Sequence, residues 1–302
     1  MTGDAGRLAS VPSGRRLRSR HMRNRDLTRL RHLRTLDPVA DHEEIYRTVA
    51  QYEFGWETML GLNLAFYRTF GIPAIAELLL ATGEMTERTR KRADDTGLLM
   101  YEMITHGLEA ERGRAAVRRL NQIHRRFEIS AADYRYVLAA FVVVPTRWID
   151  QTGWRPTCCH ERTATAEFYR RLGALMNVPD VPDDYDGFAA LLDAYEAEHF
   201  APTAAAEALM TATRGLFAGR LPDRLKGLAG PVADTLLTPS LRTAVGAPTP
   251  ALPVRMLVGG LVRLRASAEA WKTPRTEPYL TLGTAPSYPD GYRVEQLGPA
   301  GV

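Results

Sequence analysis

Apolar residues recur at three- and four-residue spacings through most of this chain, while the two-residue alternation of strands is scarce. That period commits the fold to helices, and no fixed-length repeat turns them into a solenoid. Gly, Pro and Asp signals cut the pattern into helices predicted at about 41–53, 56–70, 73–82, 87–106, 111–127, 131–143, 159–177, 186–199, 203–218 and 251–270. Ser130 is placed to cap the helix that begins at Ala131, with Asp133 in its first turn. Pro145 is expected to end or kink that helix after Val144. The run from Asn177 to Asp184 holds two prolines among aspartates and reads as a loop.

The net charge of +4 conceals an asymmetry. Residues 1–37 hold ten arginines and three aspartates, which is +7 and leaves −3 for the rest. Three segments follow: a basic, partly disordered leader at 1–37, one helical domain at 38–275, and a floppy extended tail at 276–302 rich in Pro, Gly and Tyr. The leader could make peripheral contact with an anionic membrane surface. It lacks the interleaved aromatics of a nucleic-acid platform, and no specific nucleic-acid partner is expected. The longest run free of Asp, Glu, Lys and Arg is twelve residues, as in 243–254, too short to span a bilayer. Cys158 and Cys159 are adjacent and cannot staple distant segments. Reduced thiols and a soluble body predict a cytoplasmic protein. The oligomeric state is not legible.

Two places can carry chemistry. Val117, Leu120, His124 and Phe127 share one helical stripe, so the His124 imidazole faces inward between charged arginines. Such a histidine is either a satisfied core residue or an axial ligand whose δ nitrogen is oriented by a carbonyl or carboxylate. On the preceding helix, Arg92 and Thr96 lie four apart with Asp95 beside them. Arg92 could clamp a carboxylate, Thr96 could offer a hydroxyl, and a desolvated Asp95 could carry a proton. A surface ion pair between Arg92 and Asp95 is the simpler alternative.

Glu196 and His199 form a Glu-x-x-His unit, but no second copy exists to complete a di-iron site. Cys158, Cys159 and His160 lack zinc spacing and read as a helix start capped by Thr157. No Gly-x-Gly-x-x-Gly, Walker or Gly-x-Ser-x-Gly motif appears.

The blocks Asp94-Asp-Thr96, Arg119-Leu-Asn-Gln-Ile-His124, Asp133-Tyr-Arg-Tyr-Val-Leu138, Pro145-Thr-Arg-Trp-Ile-Asp150 and Gly153-Trp-Arg-Pro156 occur in an order that resembles the catalytic domain of MpaB-type oxygenases and latex clearing protein. The similarity runs from about residue 38 to 215. It implies an all-α single domain with a globin-like core around haem b. His124 would then be the iron ligand, with Arg92, Asn121 and Arg147 contacting the cofactor and Arg92, Asp95 and Thr96 at the reacting side. It also implies dioxygen as co-substrate and a hydrophobic, olefinic, isoprenoid-like small molecule, with cleavage of its C=C bond as one outcome. A haem-binding sensor or carrier without turnover is the alternative. Two positions depart from the family pattern: Asp95 stands where rubber-cleaving relatives carry lysine, and Ala93 where many bacterial relatives carry tyrosine. The first argues against assuming rubber as the substrate.

Overall fold

The computed structural model describes residues 26–219 and 222–299. Most of the basic leader lies outside these residues. The described chain is all-α, without a strand; its only β feature is an isolated bridge between Ala285 and Tyr288. Fourteen helices follow in order: α1 Thr28–Leu33, α2 His42–Thr48, α3 Gly55–Arg68, α4 Pro73–Ala81, α5 Glu84–Glu87, α6 Thr89–His106, α7 Glu111–His124, α8 Ala131–Thr152, α9 Cys159–Leu175, α10 Tyr185–His199, α11 Ala204–Ala218, α12 Ala229–Thr235, α13 Pro239–Ala244 and α14 Leu252–Glu269.

α3 and α8 form the axis of the molecule. Their backbones touch at Gly61, where an added Cβ would lie 2.5 Å from the Cα of Pro145. This contact explains why Pro145 does not end α8, which continues to Thr152. Proline removes one donor from the ladder, but its ring is buried against Gly61, and the Thr146 hydroxyl bonds the Val142 carbonyl at 2.7 Å. Burial between helices outweighs the lost hydrogen bond. Ser130 caps α8 by accepting from the Asp133 amide at 3.0 Å.

Around this axis α6 packs on α7, α9 and α10 pack on α8, and α2 packs on α9. Together they enclose the larger core, centred on Tyr136, Phe168, Tyr169 and Phe188. α4, α11, α12 and α13 close a second core against α3. Two expected features move. The helix predicted from 41 changes at Val49 into a π-helical turn ending at Glu53. α9 is capped by Cys158, not Thr157, because Glu161 reaches back to the Cys158 amide at 2.7 Å. The Thr157 hydroxyl bonds Asp150 at 2.7 Å instead.

The segment after Arg275 is docked rather than floppy. Leu297 is fully buried and Val294 nearly so, both within the larger core. Three tyrosines and a serine tie this strap down. Tyr279 donates its amide to Gln51, Ser287 bonds Asp94, Tyr288 bonds Asp95 and Tyr292 bonds Glu102. Gly298 has φ 98° and sits where a Cβ would meet the Ile123 side chain at 2.5 Å, so glycine is needed for the final approach.

No described helix is by itself long and apolar enough to cross a membrane. One pair bent by 100°, Gly55–Gly71 with Pro73–Ala81, reaches that length and apolarity only when taken together.

Candidate functional site

An apolar cavity of about 250 Å³ lies between α4, α6, α7 and α8, and the strap's Gly298 and Pro299 complete its wall. Leu78, Leu79, Leu99, Met103, Val137 and Phe141 supply much of the lining. Arg92, Asp95, Thr96 and His124 all open onto it. These four sequence-predicted residues of α6 and α7 are therefore brought together. They meet because α6 and α7 pack side by side with their inward stripes facing.

His124 is the last residue of α7, and its ring lies 5.6 Å from that of Tyr134 on α8. Its Nδ1 is buried with no hydrogen-bond partner. The orienting carbonyl or carboxylate expected at that nitrogen is absent among the described residues. A satisfied core histidine would show such a partner. Burial, and then the nearby Arg92 charge, push the imidazole down to about 4 from its ordinary 6.5. The ring is thus neutral at physiological pH and keeps a lone pair for a ligand.

Arg92 does not pair with Asp95. Its guanidinium makes no hydrogen bond or ion pair among the described residues and lies 5.5 Å over the Phe66 ring. Burial lowers its pKa, against the opposing charges of Asp95 and Glu84. A guanidinium held in an apolar wall without a partner is poised for an anionic or oxygen-bearing guest.

Asp95 is buried, and both its oxygens are taken: Lys91 Nζ donates to Oδ2 at 2.8 Å and Tyr288 OH to Oδ1 at 2.5 Å. Lys91 Nζ also donates to the Gly298 carbonyl at 2.8 Å. The Thr96 hydroxyl donates to the Arg92 carbonyl at 2.9 Å, so toward the cavity it can only accept. Lys91, Tyr288 and Tyr134 were not picked out as site residues in the sequence. A tyrosine-rich tail was the available signal.

Asn121 and Arg147 do not line the cavity. The Asn121 amide donates to the Leu175 carbonyl at 3.0 Å, and Arg147 makes a two-pronged ion pair with Asp193 at 2.6 and 2.7 Å. Glu196 is locked by Arg68 and by the Tyr136 hydroxyl, while His199 bonds the Tyr195 carbonyl. No cluster of three or more His, Cys, Asp or Glu suited to a metal occurs among the described residues.

A haem, if this pocket holds one, must find an axial donor and apolar walls. The orphaned His124 and the lining supply both, so the residues fit the group.

The pH dependence of folding reports on His124. In the haem-free chain the imidazole takes up its proton near 6.5 when unfolded but only at about 4 when folded. The unfolded state therefore binds the proton first as pH falls. Stability is full above 6.5 and is lost toward pH 4, by about 3 kcal/mol from this group. Urea titrations at neutral pH and near pH 4.5 should show this loss in wild type and its absence in His124→Phe. Equal losses in both chains would remove His124 as the cause.

The family model described as "ER-bound oxygenase mpaB/B'/Rubber oxygenase, catalytic domain" matches residues 55–268. Among curated proteins, the "ER-bound oxygenase mpaB" of Penicillium roqueforti (strain FM164) is 32% identical over 153 residues, covering 48% of this chain and 51% of the relative. In Penicillium brevicompactum, "ER-bound oxygenase mpaB" and "ER-bound oxygenase mpaB'" are each 32% identical over 152 residues. They cover 48% of this chain and 39% and 36% of those proteins. The matched region thus spans between about a third and a half of these relatives' length.

Proposed function

This chain belongs to the mpaB and rubber oxygenase catalytic-domain family, and from that premise we propose that it is a haem b-dependent oxygenase acting with dioxygen on a hydrophobic, olefinic small molecule. The observation that carries this reading is that a neutral His124, whose Nδ1 has no partner among the described residues, shares one apolar cavity with Arg92, which likewise has none among them. Both features cost stability in a chain that keeps them for packing alone.

In this reading His124 would hold the iron, and haem b, when bound, would supply the oxygen-activating redox chemistry that no side chain can. The protein's own work is positioning. Leu78, Leu79, Leu99, Met103, Val137 and Phe141 line the cavity with hydrocarbon, bind an apolar chain and exclude water. Arg92 donates hydrogen bonds toward negative charge that develops in the pocket, where low polarity strengthens them. Asp95 Oδ1 accepts the Tyr288 hydroxyl proton and Oδ2 that of Lys91. These bonds hold a carboxylate and two exchangeable protons at the cavity edge.

Oxygen uptake by the haem-reconstituted chain with an olefinic lipid tests the activity. Arg92→Met is expected to lower the rate by on the order of tenfold to a hundredfold with haem retained. Unchanged turnover in that variant would remove Arg92 from the reaction. Retained haem without substrate-dependent oxygen uptake in wild type would favour a haem-binding sensor or carrier.

A further inference from the structure

Eleven large apolar side chains are exposed among the described residues, and nine of them fall between Leu225 and Trp271. Exposure is therefore concentrated in one region, which isolated surface leucines do not explain. α14 carries the densest part. It is anchored on one side only, by buried Val258 and by Arg265, whose Nη1 reaches Glu57 at 2.5 Å and whose guanidinium lies 4.0 Å over the Trp56 ring. At about 100° per residue, Met256, Leu264, Leu257 and Leu261 share an arc of about 140° beside that anchored line. Trp271 follows just past the helix end. Each of the five is more than half exposed.

The flank of the helix beyond Met256 is cationic. Arg255 and Arg263 are exposed, and neither forms an ion pair among the described residues. The helix has no acidic residue before Glu269, which pairs with Lys272 at 2.9 Å. Whatever covers the face must accept bulky apolar groups and supply negative charge. A second copy of the same face would set arginines against arginines with no carboxylate between them.

We propose that α14 lies along the surface of an anionic lipid membrane, with its Met–Leu–Trp face at the acyl boundary and Arg255 and Arg263 among the lipid phosphates. The helix is not long and apolar enough to cross a bilayer, so it lies on the surface rather than across it. Trp271, at the end of the apolar face beside Lys272, occupies the level where indole rings settle in bilayers. This placement is independent of the catalytic reading.

Sedimentation of the full chain with phosphatidylcholine vesicles, with and without phosphatidylglycerol, tests it. Wild type is expected to bind the phosphatidylglycerol vesicles. The double variant Leu257→Glu/Leu261→Glu should bind on the order of tenfold less or weaker. Arg255→Glu/Arg263→Glu should lose the preference for anionic lipid. The leader is kept throughout, so its own attraction is constant. Brominated lipid should quench wild-type tryptophan emission more than that of Trp271→Phe, a readout free of any folding defect in the glutamate variants. Equal vesicle binding by wild type and Leu257→Glu/Leu261→Glu overturns the proposal. So does a wild-type chain that ignores anionic vesicles, or a dimer dispersed by the same substitutions without vesicle binding.

Discussion

His124→Leu is expected to stabilise the haem-free chain while destroying its ability to retain haem. The two effects have one origin. A buried nitrogen without a partner forfeits the hydrogen bond that water gave it in the unfolded chain. Leucine of similar size removes that penalty, worth about 1–3 kcal/mol. In a chain of this length each kcal/mol shifts the melting temperature by roughly 2–4 °C. The haem-free variant should therefore melt several degrees higher by circular dichroism. Haem titration should give a dissociation constant higher by a hundredfold or more, on the order expected for loss of a metal–ligand contact. A variant that melts lower would mean that the imidazole packs better than its unpaired nitrogen suggests.

The largest loss of stability is expected far from the cavity, at Arg155. Its guanidinium is 3% exposed and holds Glu161 at 2.6 Å and Glu53 at 3.1 Å, both carboxylates being equally buried. It also lies 4.7 Å over Phe54 and 5.1 Å over Trp154. Arg155→Leu leaves two buried carboxylates, with Arg29 still on Glu53 at 3.2 Å and the Cys158 amide on Glu161 at 2.7 Å. Removing one side of such a network costs about 3–5 kcal/mol, and a fall in melting temperature of roughly 10 °C follows. Arg155→Lys keeps the charge but not the fork, so it should fall between. A loss below about 1 kcal/mol in Arg155→Leu would show that water reaches these carboxylates.

The helical fold was legible because the apolar period extends over long segments, and long helices need little else to declare themselves. α1, α12 and α13 escaped because six or seven residues cannot display two turns of a stripe. Pro145 misled for a different reason: its local penalty is real, but the Gly61 contact that offsets it is a meeting of residues far apart in sequence. In the site, His124, Arg92, Asp95 and Thr96 lie on two inward stripes that the periodicity already exposes. Arg147 could not be placed, because its partner Asp193 sits on a helix that only the fold brings alongside. Tyr288 and Gly298 were hidden by composition. Pro, Gly and Tyr signal an irregular segment, and nothing local says that it docks.

The absorption spectrum of the wild-type chain reconstituted with haem b, recorded beside that of His124→Leu, tests the central claim most directly. The account predicts a Soret band in wild type at one haem per chain and its loss in the variant. A wild-type chain that takes up no haem, or a variant with an unchanged band, would contradict it.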